Sequence, residues 1–233
     1  MNQRLDVVTT ALCRPELLDL TYRSFFTRLK DLPEIRIILN VDPLGEADQA
    51  ECIQVAKRYS DSVVFRCPDS PGFMDAVKWC YENVESSVVL HLEDDWLLRR
   101  TIEYKSLLGS LLGSGSDQMV LLMKDARLPG AMRYSFRPHL ACSERVCAAL
   151  DSLSAVDGNP EKCLAEHSSL LLSYDFTEGG ERLVMDMGRK WAKAQGLKKY
   201  GVGDAWFVSR PQSLLAKLEY RLYLARWKAI AFR

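Results

Sequence analysis

Three consecutive acidic residues follow an apolar segment near the middle of the chain. The segment Ser87–Leu92 has the composition of a buried strand, and it leads directly into Glu93, Asp94 and Asp95. Because adjacent carboxylates repel one another, holding three of them at one strand end is costly without a cation. Carboxylate oxygens suit Mg²⁺ or Mn²⁺, which combine one or two such ligands with phosphate oxygens. Helix capping is the alternative role for one of these acids, but it does not account for all three.

The ends of the three preceding strands carry further candidate ligand-binding residues. Strand one ends near Thr10 and Arg14, strand two ends at Asp42, and Gly72 and Asp75 follow strand three. In a parallel sheet, ligands bind outside the carboxyl ends of the strands. A glycine there also lets the backbone approach a ligand closely as a helix begins. For Asp42, which precedes a proline, an ordinary turn is the alternative.

Short apolar runs alternate with amphipathic segments through the first half of the chain. The near-continuous apolar character of the runs is typical of strands buried on both faces, which predicts an α/β fold with a mostly parallel sheet sandwiched between helices. The predicted strands are Val7–Leu12, Ile35–Val41, Ser62–Cys67, Ser87–Leu92 and Gln118–Lys124. The predicted helices between them are Pro15–Leu29, Gly45–Tyr59, Pro71–Val84 and Leu97–Leu112.

The second half of the chain has a less regular pattern. Residues 125–140 are rich in Arg and Pro and are predicted to form a loop or an irregular strand. Further helices are predicted at Ser143–Leu153, Pro160–Ser169 and 179–195, with a strand at Ser168–Tyr174, a loop at 196–203 and a final helix from Pro211. One face of that last helix is apolar and would pack on the core if the helix docks; it comprises Leu214, Leu218, Leu222, Ala225, Ala229 and Phe232.

Composition and motifs exclude several classes of protein. The 233 residues contain no apolar run long enough for a membrane span and no signal-peptide pattern. They also lack the G-x-G-x-x-G, Walker A and G-x-S-x-G motifs, which argues against Rossmann, P-loop and α/β-hydrolase proteins. The seven cysteines are scattered and form no C-x-x-C pair, a usage typical of reduced cytoplasmic proteins.

Charge is distributed unevenly along the chain. The totals balance, with 31 Lys and Arg against 31 Asp and Glu. Residues 187–233, however, contain eleven Lys and Arg against two acids, a net charge of +9, and residues 1–186 carry −9. A cationic end on an acidic body favours contact with an anionic partner. A solvated helix rich in Lys and Arg is the alternative.

Taken in order, these segments resemble the nucleotide-binding half of the GT-A glycosyltransferases, particularly family-2-like members. The resemblance covers roughly residues 5–125 and rests on Thr10–Pro15, Asp42, residues 72–76 and the acidic motif ending at Asp95. Two features depart from the family pattern. Strand two lacks the paired acids common in family 2, and no downstream histidine completes a metal site.

The resemblance implies transfer of a sugar from a nucleoside-diphosphate sugar, with a UDP-sugar as the first expectation, to an acceptor hydroxyl. It implies Asp95 and Glu93 as ligands of Mn²⁺ or Mg²⁺. The implied donor contacts are Thr10, Arg14, Asp42, Gly72, Asp75, Glu93 and Asp94. A single domain would then comprise a donor half at 1–125, an acceptor half at 126–210 and a basic helix at 211–233.

An inverting transferase needs a carboxylate that deprotonates the acceptor hydroxyl. The candidates are Glu161, Glu166 and Asp125, although a Glu in a first helical turn also favours the helix dipole. Three arginines are candidates for holding the diphosphate or an anionic acceptor, with plain surface charge as the alternative; they are Arg127, Arg133 and Arg137.

The basic C-terminal segment bears on the identity of the acceptor. Its aromatic residues alternate with cations such as Lys217, Arg221 and Lys228, a pattern that suits a nucleic-acid backbone or an anionic membrane surface. The sharpest hypothesis is a bacteriophage enzyme of the host cytoplasm that glycosylates hydroxymethylated pyrimidines in DNA. The alternatives are a lipid-linked or polysaccharide acceptor, a nucleotidyltransferase and a non-catalytic nucleotide-binding protein.

Overall fold

Strands and helices alternate through most of the protein. The structure, a computed structural model, describes residues 4–44, 49–121, 134–153, 163–164, 173–177, 180–199, 206–208 and 214–231. Its strands are β1 (Leu5–Leu12), β2 (Leu29–Lys30), β3 (Ile35–Asp42), β4 (Val63–Arg66), β5 (Val88–Glu93), β6 (Trp96–Leu98), β7 (Ile102–Glu103), β8 (Gln118–Leu121), β9 (His139–Cys142), β10 (Ser173–Phe176), β11 (Val184–Asp186), β12 (Leu197–Lys199) and β13 (Trp206–Val208). Its helices are α1 (Pro15–Arg28), α2 (Gln49–Lys57), α3 (Phe73–Glu82), α4 (Tyr104–Ser114), α5 (Ser143–Ser152), α6 (Gly188–Gln195) and α7 (Leu214–Ala231).

A mostly parallel sheet forms the centre of the molecule. Within the described residues its strand order is β10-β8-β9-β5-β1-β3-β4, and β9 runs antiparallel to both of its neighbours. Successive residues of a strand point to opposite faces of a sheet. Accordingly, Val7 packs with side chains of α1, α2 and α4, whereas Val8 packs with those of α3 and α5. This arrangement confirms the predicted α/β class, with helices on both faces of the sheet.

The register of the central strands aligns their carboxyl ends. Leu12 at the end of β1 lies opposite Asp42 at the end of β3, and Thr10 lies opposite Glu93 at the end of β5. Helix α1 begins immediately after β1, with Pro15 in its first turn, where a proline loses no helical hydrogen bond. The polar residues that follow β1, β3 and β5 therefore meet at one edge of the sheet.

The predicted helix Leu97–Leu112 is wrong over its first turns. Trp96–Leu98 forms the buried strand β6, which pairs antiparallel with Val184–Asp186. That partner strand also occupies the middle of the predicted helix 179–195, which in fact begins at Gly188. Both errors have one physical cause, because three-residue strands are too short to show a periodicity and are stabilised by pairing with a distant segment.

Two further strands begin in segments predicted to be irregular, one in the predicted loop or irregular strand 125–140 and one in the predicted loop 196–203. Strand β9 begins at His139, inside the predicted irregular segment 125–140, and fills the space between β5 and β8. Strand β12 begins at Leu197 and pairs with β13. Among the helices that the structure describes, none combines the length and the apolar content needed to cross a membrane.

The orientation expected for the last helix is also wrong. Helix α7 packs against α1 and α6 through Ala216, Tyr220 and Leu224, each less than 9% exposed. The leucine face points away from the core, with Leu214 85% exposed and Leu222 64% exposed. The helix has two apolar faces. The face that contains Tyr220 packs against α1 and α6.

Candidate functional site

A buried ion pair joins the carboxyl ends of β1 and β5. Arg14 Nε donates to Asp94 Oδ2 at 2.9 Å, and Arg14 Nη2 donates to Asp94 Oδ1. The Leu12 backbone N–H adds a bond to Asp94 Oδ2 at 3.1 Å, and the Thr21 hydroxyl donates to the Asp94 carbonyl oxygen at 2.9 Å. Asp94 therefore fixes the loop after β5 against both β1 and α1.

The electrostatics of this pair are finely balanced. Burial raises the pKa of Asp94 to about 6; the Arg14 guanidinium opposes the rise and the neighbouring Asp95 carboxylate adds to it. Burial lowers the pKa of Arg14, but the two carboxylates outweigh that effect and the net change is upward. The guanidinium is therefore always charged, and Asp94 is mainly ionised at neutral pH.

Asp95 lies between this buried pair and the surface. Arg14 Nη2 donates to Asp95 Oδ2 at 3.1 Å, and the Asp95 side chain keeps 19% of its surface exposed. The Asp95 carbonyl oxygen accepts a bond from the Met187 N–H at 2.8 Å. Asp95 is thus oriented on one side by Arg14 and on the other by the segment that follows β11, with its carboxylate accessible to a ligand.

A glycine from the second half of the chain packs directly on this group. A Cβ at Gly188 would lie 2.0 Å from Asp95 Oδ2 and 3.2 Å from Arg14 Nη1. Only a glycine fits there without displacing the carboxylate. The Trp191 ring lies 5.1 Å from the guanidinium carbon of Arg14, a cation–π contact on the same side. Arg14 Nη1 is buried and has no hydrogen-bond partner among the described residues.

Asp186 adds a further acid beside Asp95. Burial raises the pKa of Asp186, and the charge of Asp95 raises it further. Its Oδ1 accepts the N–H of Gly188 at 2.9 Å and of Arg189 at 3.3 Å, so it also holds the first turn of α6. Sequence reasoning missed Asp186, Gly188 and Trp191. The available signal was an acid two residues before a glycine at a helix start, which is too common to identify a site.

A second group of polar atoms surrounds Asp42 at the end of β3. Asp42 accepts from Asn40 Nδ2 at 2.7 Å and from the Gly72 N–H at 3.1 Å, so the loop before α3 is tied to β3. The exposed Asp75 lies beside Gly72, in the first turn of α3. Asn40 Oδ1 and the Thr10 hydroxyl are buried without a hydrogen-bond partner among the described residues. Buried polar atoms without partners are the atoms that a bound ligand or water would satisfy.

The two groups are neighbours in the sheet. Leu12 donates its N–H to Asp94 and lies opposite Asp42 in the pairing of β1 with β3. Asp94 and Asp42 therefore lie on either side of the same residue of β1. Glu93 accepts a bond from Trp96 Nε1 at 2.8 Å, which positions the first acid of the motif at the start of β6. The structure therefore brings the predicted residues of the first half to one edge.

The acids suit a divalent metal only in part. The described residues contain no group of three His, Cys, Asp or Glu side chains that could hold an ion. Arg14 already supplies a cation to Asp94 and Asp95, so charge repulsion alone no longer requires a metal. The oxygen chemistry of the partly exposed Asp95 carboxylate still fits Mg²⁺ or Mn²⁺, provided that substrate phosphates complete the coordination.

The residues proposed for the acceptor side are not tested by the geometry. Asp125, Glu161 and Glu166 lie outside the described residues, as do Arg127 and Arg133. Arg137 is described. Its Nε donates to Ser135 Oγ at 3.1 Å, and its Nη2 lies 3.7 Å from Asp175 Oδ1.

Comparison with solved structures decides the fold family. TarS residues 1–349 from S. aureus, solved with UDP, superposes with a TM-score of 0.54 at 12% identity, covering 82% of this chain and 63% of that one. The same protein with UDP-GlcNAc gives 0.52 at 13% identity, covering 78% and 57%. The mannosyltransferase PcManGT from Pyrobaculum calidifontis, solved with GDP-Man and Mn²⁺, gives 0.54 at 9% identity, covering 84% and 62%.

The chain has the GT-A fold. It spans 57% to 63% of the length of these neighbours. No protein-family model matches the sequence, and no curated protein matches it by sequence. The GT-A likeness therefore rests on the order and direction of the strands rather than on sequence identity, and it confirms the fold that the resemblance of residues 5–125 implied.

Proposed function

We propose that this GT-A protein is a glycosyltransferase that moves a sugar from a nucleoside-diphosphate sugar to an acceptor hydroxyl. The proposal is carried by one observation, the gathering of Arg14, Asp42, Asp94 and Asp95 at the carboxyl edge of β1, β3 and β5. Neighbours of the same fold bind UDP-GlcNAc and GDP-Man, which supports the same class of donor here.

The nucleoside is assigned to the Asp42 group. The Asp42 carboxylate is held by Asn40 and by the Gly72 backbone, so it is oriented before any ligand arrives. Donors on a base or a ribose would satisfy the unpartnered Asn40 Oδ1, and the Thr10 hydroxyl is available to an acceptor or donor atom. A single acid at the end of β3 stands where a paired motif is common, and a UDP-sugar is the first donor to test.

The diphosphate is assigned to Asp95. A bound Mn²⁺ or Mg²⁺ would neutralise the charge that develops on the departing diphosphate. Asp95 would hold that ion, with Glu93 as the second ligand proposed from sequence. Arg14 acts as a positioning residue. Its Nη2 contacts the carboxylates of both Asp94 and Asp95, and it thereby orients the Asp95 carboxylate.

The acceptor side of the proposal is the less constrained. An inverting reaction requires a base, and Asp125, Glu161 and Glu166 remain the candidates proposed from sequence. The DNA acceptor, with a bacteriophage origin and a cytoplasmic location, likewise stays a hypothesis that rests on the charge of residues 187–233. It predicts that duplex binding weakens steeply as salt is raised.

Calorimetric titration tests the donor assignment. The protein should bind UDP, GDP or their sugar conjugates in the presence of Mn²⁺, and Asp95→Asn should weaken that metal-dependent binding by about tenfold or more, because a charged ligand to the ion is lost. Asp42→Ala should weaken nucleotide binding with and without metal. Asp61→Asn is the matched control. Asp61 is an exposed acid just before the amino end of β4, whereas the candidate site lies at the carboxyl ends of the strands.

Three outcomes would contradict the assignment. Absence of nucleotide binding with every divalent metal would remove the glycosyltransferase proposal. Release of pyrophosphate from a nucleoside triphosphate would favour a nucleotidyltransferase instead. Equal metal-dependent binding by the parent and by Asp95→Asn would leave the donor class in place but remove Asp95 as the metal ligand.

A further inference from the structure

A cationic cleft lies between α1, α6 and α7, apart from the edge that holds Asp42 and Asp95. It has a volume of about 440 Å³, and its lining includes Lys217, Arg221 and Lys228. This volume lies in the range of small-molecule sites. These are three of the basic residues that the sequence pattern assigned to an anionic partner, and the fold places them around one concavity.

The three cations share one flank of α7. Residues four apart on a helix are neighbours, which places Lys217 beside Arg221, and Lys228 follows two turns later on the same side. The Glu16 carboxylate accepts a bond from Lys228 Nζ at 2.7 Å. Among the described residues that line the cleft, Glu16 is the single acid, so the positive charge of the cleft is only partly compensated.

Tyr220 supplies an unusual buried donor to the same cleft. Its side chain is 8% exposed, and its hydroxyl has no hydrogen-bond partner among the described residues. Burial raises the pKa of Tyr220, and the nearby Glu16 raises it further, so the hydroxyl keeps its proton. A buried O–H without an acceptor is destabilising. An anion would supply the acceptor that this donor lacks.

The cleft adjoins the candidate site. Glu16 lies in the first turn of α1, two residues after Arg14, whose charge acts on the Tyr220 hydroxyl. Residues Ala194 and Gln195 of the cleft belong to α6, the helix whose first residue packs on Asp95. Because Gly188 begins that helix and Gln195 ends it, a group bound in the cleft would lie about one helix length, roughly 10 Å, from the glycine that packs on Asp95.

We propose that this cleft binds a phosphate group carried by the acceptor substrate. The inference rests on the proposed glycosyl transfer, because it gives that reaction an acceptor class. Among the described lining residues, Lys217, Arg221 and Lys228 are cations that can only donate, and the Tyr220 hydroxyl has a proton to donate, which suits a group with acceptor oxygens. A volume of about 440 Å³ leaves room for a phosphate and for part of the moiety that carries it.

Titration with inorganic phosphate at low salt, without metal or nucleotide, tests the cleft directly. Arg221→Gln and Lys217→Gln should each weaken phosphate binding by roughly tenfold, because each variant removes one charge-assisted hydrogen bond. Arg226→Gln is the matched control: it removes the same charge from α7 but lies outside the cleft lining, and it should leave the affinity unchanged. Thermal unfolding of each variant checks that α7 still docks.

Two further arms identify the carrier of the phosphate. Loss of duplex DNA binding in Arg221→Gln but not in Arg226→Gln would support the cleft and point to a nucleic acid. The same pattern with vesicles containing anionic lipid would support it and point to a lipid headgroup.

The inference is overturned if the parent binds no phosphate, or if Arg226→Gln weakens binding as much as the cleft variants do. Both results are independent of the nucleotide titrations, so the cleft and the donor site can fail separately.

Discussion

The sheet contains two buried Asp–Arg pairs, one at each end of β1, and they differ in how completely they are satisfied. At the amino end Asp6 pairs with Arg36 of β3, and at the carboxyl end Arg14 pairs with Asp94. All four residues are at most 6% exposed. Burial is therefore matched between the two pairs, and what differs is the number of partners around each charge.

The amino-end pair is fully compensated. Both oxygens of Asp6 accept from Arg36 at 2.8 Å, and the N–H groups of Glu85 and Ser86 donate to Oδ2 at 2.6 and 2.9 Å. Arg36 also donates to Glu85 Oε1 and to the Asn83 carbonyl oxygen. Burial alone would raise the pKa of Asp6, but these donors outweigh it and the pKa falls.

The carboxyl-end pair is left incomplete. The pKa of Asp94 rises to about 6, Asp95 adds a like charge, and Arg14 Nη1 has no hydrogen-bond partner among the described residues. Buried polar atoms without a protein partner are completed by a ligand, an ion or an ordered water, and they are frequent at functional sites. We infer from this difference that the Asp6 pair serves the fold, and we propose that the Arg14 pair serves the proposed binding site.

Asp6→Asn is expected to give the largest loss of stability. It leaves the buried Arg36 charge without its main partner, which costs about 3 kcal/mol or more in the free energy of unfolding. Glu85→Gln is the control, because the Glu85 side chain is 65% exposed and its pairing with Arg36 is worth at most about 1 kcal/mol. Chemical denaturation measures both variants. Losses of equal size would show that the buried carboxylate is not what stabilises this end.

The sequence predicted the first half of the site because strand ends of a parallel sheet must meet. Asp42, Asp94 and Asp95 each follow an apolar run long enough to be recognised as a strand. The ion pair between Arg14 and Asp94 could not be predicted in the same way. It depends on the register between β1 and β5, which are far apart in the chain.

The second half of the chain gave weaker signals. Strands β6 and β11 contain three residues each, so the placement of Gly188 and Asp186 beside Asp95 follows from tertiary pairing alone. For α7 the periodicity correctly predicted a helix. It could not predict which side is buried, because the helix has two apolar faces. Packing of Tyr220 against α1 and α6, which no pattern within the helix encodes, decides which face is buried.

Gly188→Ala should have an intermediate effect that is concentrated at the carboxyl-end pair. The new methyl group would lie 2.0 Å from Asp95 Oδ2, so the carboxylate must move, at a cost of about 1–3 kcal/mol. Nucleotide binding with Mn²⁺ should weaken with it. Gly109→Ala, on an exposed helix with no atom within 4 Å of the added Cβ, is the control. A Gly188→Ala protein that keeps full stability and full metal-dependent binding would show that Asp95 tolerates displacement.

The smallest expected effect is a difference in pH dependence between the two pairs. A carboxyl whose pKa is raised by folding contributes stability that is present below its unfolded pKa and is lost as pH rises through its folded pKa. For Asp94 this window runs from the ordinary carboxyl pKa of 3.8 to about 6, and the parent should lose on the order of 2 kcal/mol of unfolding free energy across it relative to Asp94→Asn.

Asp6, whose pKa is lowered, has the opposite sign: its contribution is present above 3.8 and is lost as pH falls through the folded pKa. Unfolding free energies of the parent, Asp94→Asn and Asp6→Asn, measured from about pH 2 to pH 7, separate the two, because the Asp6 window lies below 3.8 and the Asp94 window lies above it. Parallel curves for the parent and Asp94→Asn would mean that Arg14 compensates its partner as fully as Arg36 does, and the distinction between a structural pair and a binding pair would be lost.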